Sequence, residues 1–541
     1  MARYYQSLLL AFASGIILGL AHPPTNMGIL VWVGFIPLLF ALYKGAKTRK
    51  HAFFLGTLTG TIYYGIVMYW LWSANLVELI GVQTKLTSNL IILPIWFFSA
   101  LGMGIFYGFF ALIFWRLIRL GNHATSLKTV LLLSAATGGL FILLDYASAY
   151  GFGLLWYGPG SLLGAHWTLG HLAYSLAENK LALLIARYLG SYGVAFLILF
   201  INTFIFFSLV LYRKEKTHIA RLLIIAIAVI AIPAVIPLNI RTGNRQLNFA
   251  IIQTSDPSKN ENTTSEILDQ FNRQLSLVKE VGEEYPETDI IVLPEASDFL
   301  QNLSLFLNQE EAEKYFIKTF KKPTLIISSI RAQESDGTFR SRVFSLDSNE
   351  GVIGMYDKQL LTPIGEYLSY TISTITNLFS NNLVNEFEQI REYSVGSNPI
   401  SKIKFHDKFT LASLVCSEIF SPSLTTKTID QADIVAVLNS NSVFNGSSSV
   451  TYQQRAATIF RAAENGKPFI VANNMGLSYA IDGTGLINAS TKTLDAQLLT
   501  GAVEITTGRT WYNILGDLPI LIISGCLLGV LLFKQIYGKQ I

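Results

Sequence analysis

Long apolar stretches separated by short polar joints fill the first 240 positions, and the pattern then changes. A helix crossing a hydrocarbon core of about 30 Å needs about 20 predominantly apolar residues. Eight stretches meet that requirement, roughly 6–22, 28–44, 52–73, 89–117, 128–147, 188–212, 219–240 and 517–534. The fourth is long enough to tilt or to carry an interfacial end. The first lacks a small-x-small cleavage site and runs straight into Ala21-His22-Pro23-Pro24, so it reads as a span rather than a signal peptide. Segment 148–187 is too long for a hairpin and too polar to span. Its Trp156, Tyr157 and Trp167 predict a helix or re-entrant piece at headgroup level. His166 and His171 within it read as interfacial polar residues rather than metal ligands. The pattern therefore predicts a membrane domain over 1–240 and an eighth span with its tail over 517–541.

Between them, 241–516 regains acids and bases, and short β-rich runs alternate with helical periodicity. Residues 248–253, 289–293, 324–328, 342–346, 351–356, 409–415, 434–438, 469–472 and 477–481 read as strands. Segments 264–283 and 451–465 read as amphipathic helices beside them. Apolar strands flanked by helices imply a sheet buried on both faces, hence an α/β domain. No Walker A motif, HExxH, strand-linked GxGxxG or fixed-period repeat is present.

Composition narrows the class. Of 541 residues, 51% are hydrophobic and 14% charged, where soluble domains carry about 25% charged residues. Disorder, collagen-like repeats and a small disulfide scaffold are excluded. A net charge of +4 is weak for this length and argues against a nucleic-acid partner. Two cysteines, Cys416 and Cys526, exclude a four-cysteine zinc site. Charge placement also gives sidedness. One set of alternate span ends carries 14 lysines and arginines (Arg3, Lys44, Lys47, Arg49, Lys50, Arg116, Arg119, Lys128, Arg213, Lys214, Lys216, Arg221, Lys534, Lys539), and the opposite short loops carry 3 (Lys85, Lys180, Arg187). Both termini are expected to be cytoplasmic and 241–516 extracytoplasmic.

The outward domain holds one cysteine and one histidine. Cys416 follows the apolar run 411–415 and precedes Ser417-Glu418, a strand-end position that suits a nucleophile as well as a buried small hydrophobe. His406, in the turn His406-Asp407-Lys408, is a poor candidate for its base. Glu295 in Leu293-Pro294-Glu295 and Lys358 in Tyr356-Asp357-Lys358 also follow strands. Each alone reads as a surface residue. Three coincident strand ends carrying Glu, Lys and Cys point to acid–base and nucleophilic chemistry.

That order, Glu295, Lys358, Cys416, resembles the Glu-Lys-Cys triad of the nitrilase (carbon–nitrogen hydrolase) superfamily. More narrowly, the chain is similar to its membrane-bound branch, the apolipoprotein N-acyltransferase family. The matching pieces are LPEAS at 293–297, YDKQLLTPIGEYL at 356–368, LVCSEIF at 414–420 and RAAENGKPFIVANNMGLSYAIDGTG at 461–485, with LGLAHPP and YLGSYGVAFLILFIN in the membrane half. The chain departs from the family at Ser417, where a tyrosine is usual, and in 440–445 and 254–262, which lack a usual tryptophan. The resemblance implies eight spans and an extracytoplasmic nitrilase-like α-β-β-α sandwich between the last two. It also implies residence in the bacterial inner membrane, with the catalytic domain periplasmic. The implied activity is transfer of a phospholipid acyl chain to the α-amine of a diacylglyceryl-cysteine on an apolipoprotein, without metal or cofactor, by a monomer. Glu295 would be the base, Cys416 the thioester-forming nucleophile and Lys358 the oxyanion support. Glu366 would orient Lys358 or the amine, and Glu418 would organise the turn after the nucleophile. Loops 368–379 and 443–452 are the candidate membrane-facing lid. The other readings are a membrane-tethered amidohydrolase, with water resolving the thioester, and a catalytically decayed envelope scaffold.

Overall fold

The structure, a computed structural model, describes all residues except 1, 75, 77–83, 121–126, 212–244, 258–262, 308, 336, 378–383, 386–392, 397–401, 507 and 538–541. The span expected at 219–240, the basic residues at 213, 214, 216, 221 and 539, and positions 378–379 of the candidate lid lie outside the described residues.

Among those described, six segments are long and apolar enough to cross a membrane, with a shorter apolar helix at Leu518–Phe533. They are built from α1 (Ala2–Ala21), a broken second segment containing α2 (Ile36–Phe40), α3 (Arg49–Val67), α4 (Lys85–Leu120), α5 (Leu127–Leu155) and α6 (Lys180–Leu211). Small residues let α3 and α4 touch. A Cβ on Gly60 would stand 2.8 Å from the Gly104 Cα, and one on Gly108 would stand 2.3 Å from Thr57 Oγ1. The break before α2 frees backbone groups that lipid cannot satisfy. Asn202 of α6 supplies their partners, accepting from the Phe35 N–H and donating to the Val31 carbonyl.

Segment 148–187, expected at headgroup level, is helical only in part. Its ends belong to α5 and α6, and the irregular stretch between exposes Leu162 and Leu163 but buries Trp156, His166, Trp167 and His171. The Thr168 N–H donates to the Phe420 carbonyl and Tyr367 Oη to the Trp156 carbonyl. The tryptophans face protein because this stretch is the seat on which the α/β domain rests.

That domain runs β1 (Arg245–Gln253), α7 (Thr264–Glu284), β2 (Ile290–Val292), α8 (Phe299–Phe306), α9 (Gln309–Thr319), β3 (Leu325–Gln333), β4 (Phe339–Asp347), β5 (Gly351–Asp357), α10 (Tyr370–Asn377), β6 (Ile403–Phe405), β7 (Phe409–Val415), α11 (Pro422–Thr428), β8 (Ile434–Ser440), α12 (Ser448–Asn465), β9 (Phe469–Asn474), β10 (Tyr479–Ile481), β11 (Ile487–Ser490) and β12 (Gln497–Ile505). The short α13 (Trp511–Leu515) and the apolar α14 (Leu518–Tyr537) follow. The strands form two six-stranded sheets, ordered β12-β1-β2-β3-β4-β5 and β11-β10-β9-β8-β7-β6. Alternation assigns each face. Ile290, Val292, Leu411, Val415, Ile434 and Leu438 fill the space between the sheets. Ile291 and Leu293 turn outward beneath α7, α8 and α9, while Ala412, Leu414, Val435 and Val437 join one apolar cluster with α12 and the membrane helices. The result is a four-layer α-β-β-α sandwich whose α12 layer is shared with the helical base.

Candidate active site

Three strand ends converge. After β2 the chain reverses at Glu295, with Ala296 and Asp298 at φ +56° and +49°. The reversal is pinned to β3, because Ser329 Oγ accepts the Ala296 N–H at 2.8 Å and the Ser329 carbonyl accepts the Asp298 N–H. Lys358 follows β5 directly, its N–H bonded to the Ser341 carbonyl. Cys416 follows β7 in the left-handed region, φ +46°, a strained conformation for a residue with a side chain. Glu418 holds that turn. One of its oxygens accepts from the Val415 N–H at 2.7 Å, the other from Tyr356 Oη at 2.6 Å and the Gln359 N–H at 2.7 Å. The Cys416 turn is thereby tied to the strand that presents Lys358.

Lys358 Nζ lies 3.0 Å from Glu295 Oε1 and 2.9 Å from Glu366 Oε1. The second Glu366 oxygen accepts the Thr362 N–H at 2.7 Å. Burial works against charge on Lys358, but Glu295 and Glu366 override it and hold the ammonium's pKa well above the ordinary value. Burial raises Glu295, against the pull of Lys358. Burial, aided by the Glu295 charge, pushes the Cys416 thiol far up. Burial also lifts Glu418 to about 7. The arrangement brings a thiol, two carboxylates and a buried cation into one pocket.

Cys416 lines two cavities at once. One is apolar and reaches Trp70, Ile92, Ile95 and Ser99 of the membrane segments. The other is more polar and includes Glu295, Lys358, Glu366, Arg331 and Asp298. Thr362, Gly365, Val443 and Phe444 form walls of both. Phe444 packs edge-on to Trp70 at 4.8 Å, so the start of the expected 443–452 loop meets a membrane segment, while residues 448–452 belong to the first turns of α12.

The structure thus gathers Glu295, Lys358, Glu366 and Cys416 in one pocket and sets Glu418 behind the nucleophile's turn. His406 is elsewhere, paired with Asp347 at 2.7 Å in the β6–β7 hairpin. Sequence reasoning missed Tyr356 as the partner of Glu418, although it sits inside the Tyr356-Asp357-Lys358 motif. It also missed Gln454, whose Nε2 donates to Cys416 Sγ at 3.6 Å. On an amphipathic helix a glutamine reads as solvent-facing, and no signal in the pattern marks it.

A two-sheet sandwich presenting Glu, Lys and Cys from strand ends defines a carbon–nitrogen hydrolase domain, here seated on a membrane bundle. Residues 248–513 match the carbon-nitrogen hydrolase family model, and residues 14–204 match that of the apolipoprotein N-acyltransferase N-terminal domain. The chain is 27% identical to the apolipoprotein N-acyltransferase of Geobacter metallireducens over 94% of this chain and 91% of that one. It is 24% identical to the enzyme of the same name from Gloeobacter violaceus over 99% and 96%. A carbon-nitrogen hydrolase structure from Helicobacter pylori aligns with 48% of this chain and 89% of its own at 13% identity and a TM-score of 0.35. The chain belongs to the apolipoprotein N-acyltransferase family.

Proposed function

We propose that this membrane enzyme moves an acyl chain from a phospholipid to the α-amine of a diacylglyceryl-cysteine at an apolipoprotein N-terminus, through a thioester on Cys416. The observation that carries this reading is the position of Cys416 between an apolar cavity opening among membrane segments and a polar cavity holding the Glu295–Lys358–Glu366 cluster. An acyl chain fits the first cavity, and its ester carbonyl then lies beside the ions. Glu295 takes the thiol proton as sulfur attacks the ester carbon, and Lys358 holds the developing oxyanion. The lysophospholipid leaves with that proton. The amine, with an ordinary pKa of about 7.7–8.0 and hence partly neutral at pH 7, attacks the thioester with Glu295 as base again. Glu366 holds Lys358 in place, and Glu418 fixes the turn. No step calls for a metal or cofactor.

The finer topology belongs to the same reading. Eight spans over 1–240 and 517–541, both termini cytoplasmic and a periplasmic catalytic domain over 241–516 follow from the basic residues at alternate span ends. This places the site at the outer leaflet of the bacterial inner membrane, where a monomer meets both lipid substrates.

The test is the intact mass of detergent-purified protein mixed with a defined phospholipid, beside Cys416→Ser. An acyl-sized adduct on the wild type, absent from the variant and discharged by a diacylglyceryl-cysteine peptide, is expected. Discharge at the same rate by water alone would favour an amidohydrolase. No adduct with any phospholipid would leave the decayed scaffold as the better account.

A further inference from the structure

Gln454 stands in α12, buried at 4% exposure, on the wall of the apolar cavity beside Cys416. Its Nε2 donates to Sγ. Its Oε1 is buried with no hydrogen-bond partner among the described residues. A buried amide oxygen left without a donor is costly, and a ligand N–H that enters the cavity would satisfy it. The Gln453 Oε1 is likewise buried without a partner among the described residues, on the same cavity wall, but its Nε2 anchors α12 to the Val67 carbonyl at the end of α3, at 2.8 Å, and does not reach Sγ. Neither the proton relay nor the oxyanion support uses the Gln454 oxygen.

An attacking nitrogen must come within about 3–3.5 Å of the acyl carbon carried on Sγ, which is the neighbourhood this amide occupies. We propose that Gln454 is a further catalytic residue of the second half-reaction, its Oε1 accepting one N–H of the incoming α-amine and so aiming the nitrogen lone pair at the thioester. This rests on the Cys416 acyl-enzyme reading. The step balances: a C–N bond forms at the acyl carbon, the C–S bond breaks with its electron pair returning to sulfur, and the proton lost by nitrogen passes to Glu295 and then to the thiolate.

The experiment is single-turnover kinetics in two stages, acylation by a phospholipid and then discharge by a diacylglyceryl-cysteine peptide. The variants are Gln454→Leu, which fills the same space, and Gln454→Glu, which keeps an acceptor oxygen. Gln454→Leu should slow discharge by about tenfold, the size of one hydrogen bond made in the transition state, and acylation by clearly less. Gln454→Glu should recover most of the discharge rate while slowing acylation, since it sets an anion beside the sulfur. Equal slowing of both stages in Gln454→Leu, or unchanged discharge, would overturn the proposal and leave the thioester reading standing. Failure of the wild type to form any adduct would remove both. Should Gln454→Leu not fold, Gln454→Glu still decides, because discharge that falls as far as acylation contradicts a role for the oxygen.

Discussion

At the scale of single residues, the site is a contest over one lysine. Lys358 bridges two carboxylates at 3.0 and 2.9 Å, so each acid senses the other through it. The Glu366 charge raises the Glu295 pKa, second to burial and against Lys358. A base works only when ionised, so acylation should fall as pH drops through the raised Glu295 value. Glu366→Gln removes the like charge and leaves Lys358 more fully to Glu295. Both changes favour the Glu295 carboxylate, and the acid limb of the acylation rate should move to lower pH. A limb that moves up, or stays in place, would show that Glu295 does not carry it. Glu295 and Lys358 were legible in the sequence because strand ends announce themselves by the apolar run before them, whereas Glu366 follows no strand and was reached only through the resemblance to the family. Gln454 was not, because what distinguishes it is the space it faces, and a helix pattern records only that α12 has two faces.

At the scale of elements, α12 is the bracket between the two halves. One end touches Cys416 through Gln454 and α3 through Gln453. The other end reaches the break in α6 at Gly190, where φ is +67° and a Cβ would meet the Tyr512 ring at 2.3 Å. There Glu464 accepts the Ser191 N–H at 2.7 Å and pairs with Arg461 at 2.8 Å, both side chains fully buried. A carboxylate at a restarting helix N-terminus satisfies an orphan donor and complements the helix dipole. Arg461→Met leaves that carboxylate buried and unpaired, an effect worth about 3–5 kcal/mol. Arg461→Met with Glu464→Leu removes the charge but orphans the Ser191 N–H, worth about 1–3 kcal/mol. Unfolding in detergent should therefore rank the double variant above the single arginine variant, and the reverse order would contradict the bracket. The motif around Arg461 was visible in the chain, but its target lies 270 residues earlier in sequence. The strand pattern was similarly readable in part. β7, β8 and β9 are apolar runs buried throughout. β12 is half-exposed along most of its length and carries Gly501, and β6 has three residues, so periodicity had little to register. A sheet covered on both faces was inferred, yet nothing local tells whether the cover is a helix or, as here on one face of each sheet, another sheet.

At the scale of the whole molecule, the sandwich and the bundle share one apolar cluster, and the thiol lies where they meet. On the proposed acyl-transfer reading the apolar cavity, walled by Trp167 and Phe420 and by Ile92, Ile95 and Ser99 of α4, sets the acyl length that the site accepts. Ser99 is buried and small. Ser99→Phe fills part of the cavity's membrane wall without touching Glu295, Lys358 or Cys416, so the chemistry of a short chain is preserved while a long chain loses its last methylenes from apolar contact. Each buried methylene is worth about 0.8 kcal/mol, so displacing two of them costs about 1.6 kcal/mol, or about fifteenfold in relative rate. Competition between a short-chain and a long-chain phospholipid, read as the ratio of the two adduct masses on Cys416, should shift toward the short chain by about that factor in the variant. An unchanged ratio would mean that the acyl chain does not enter this cavity, and the donor would then have to approach sulfur from the polar side, with its tail outside the bundle.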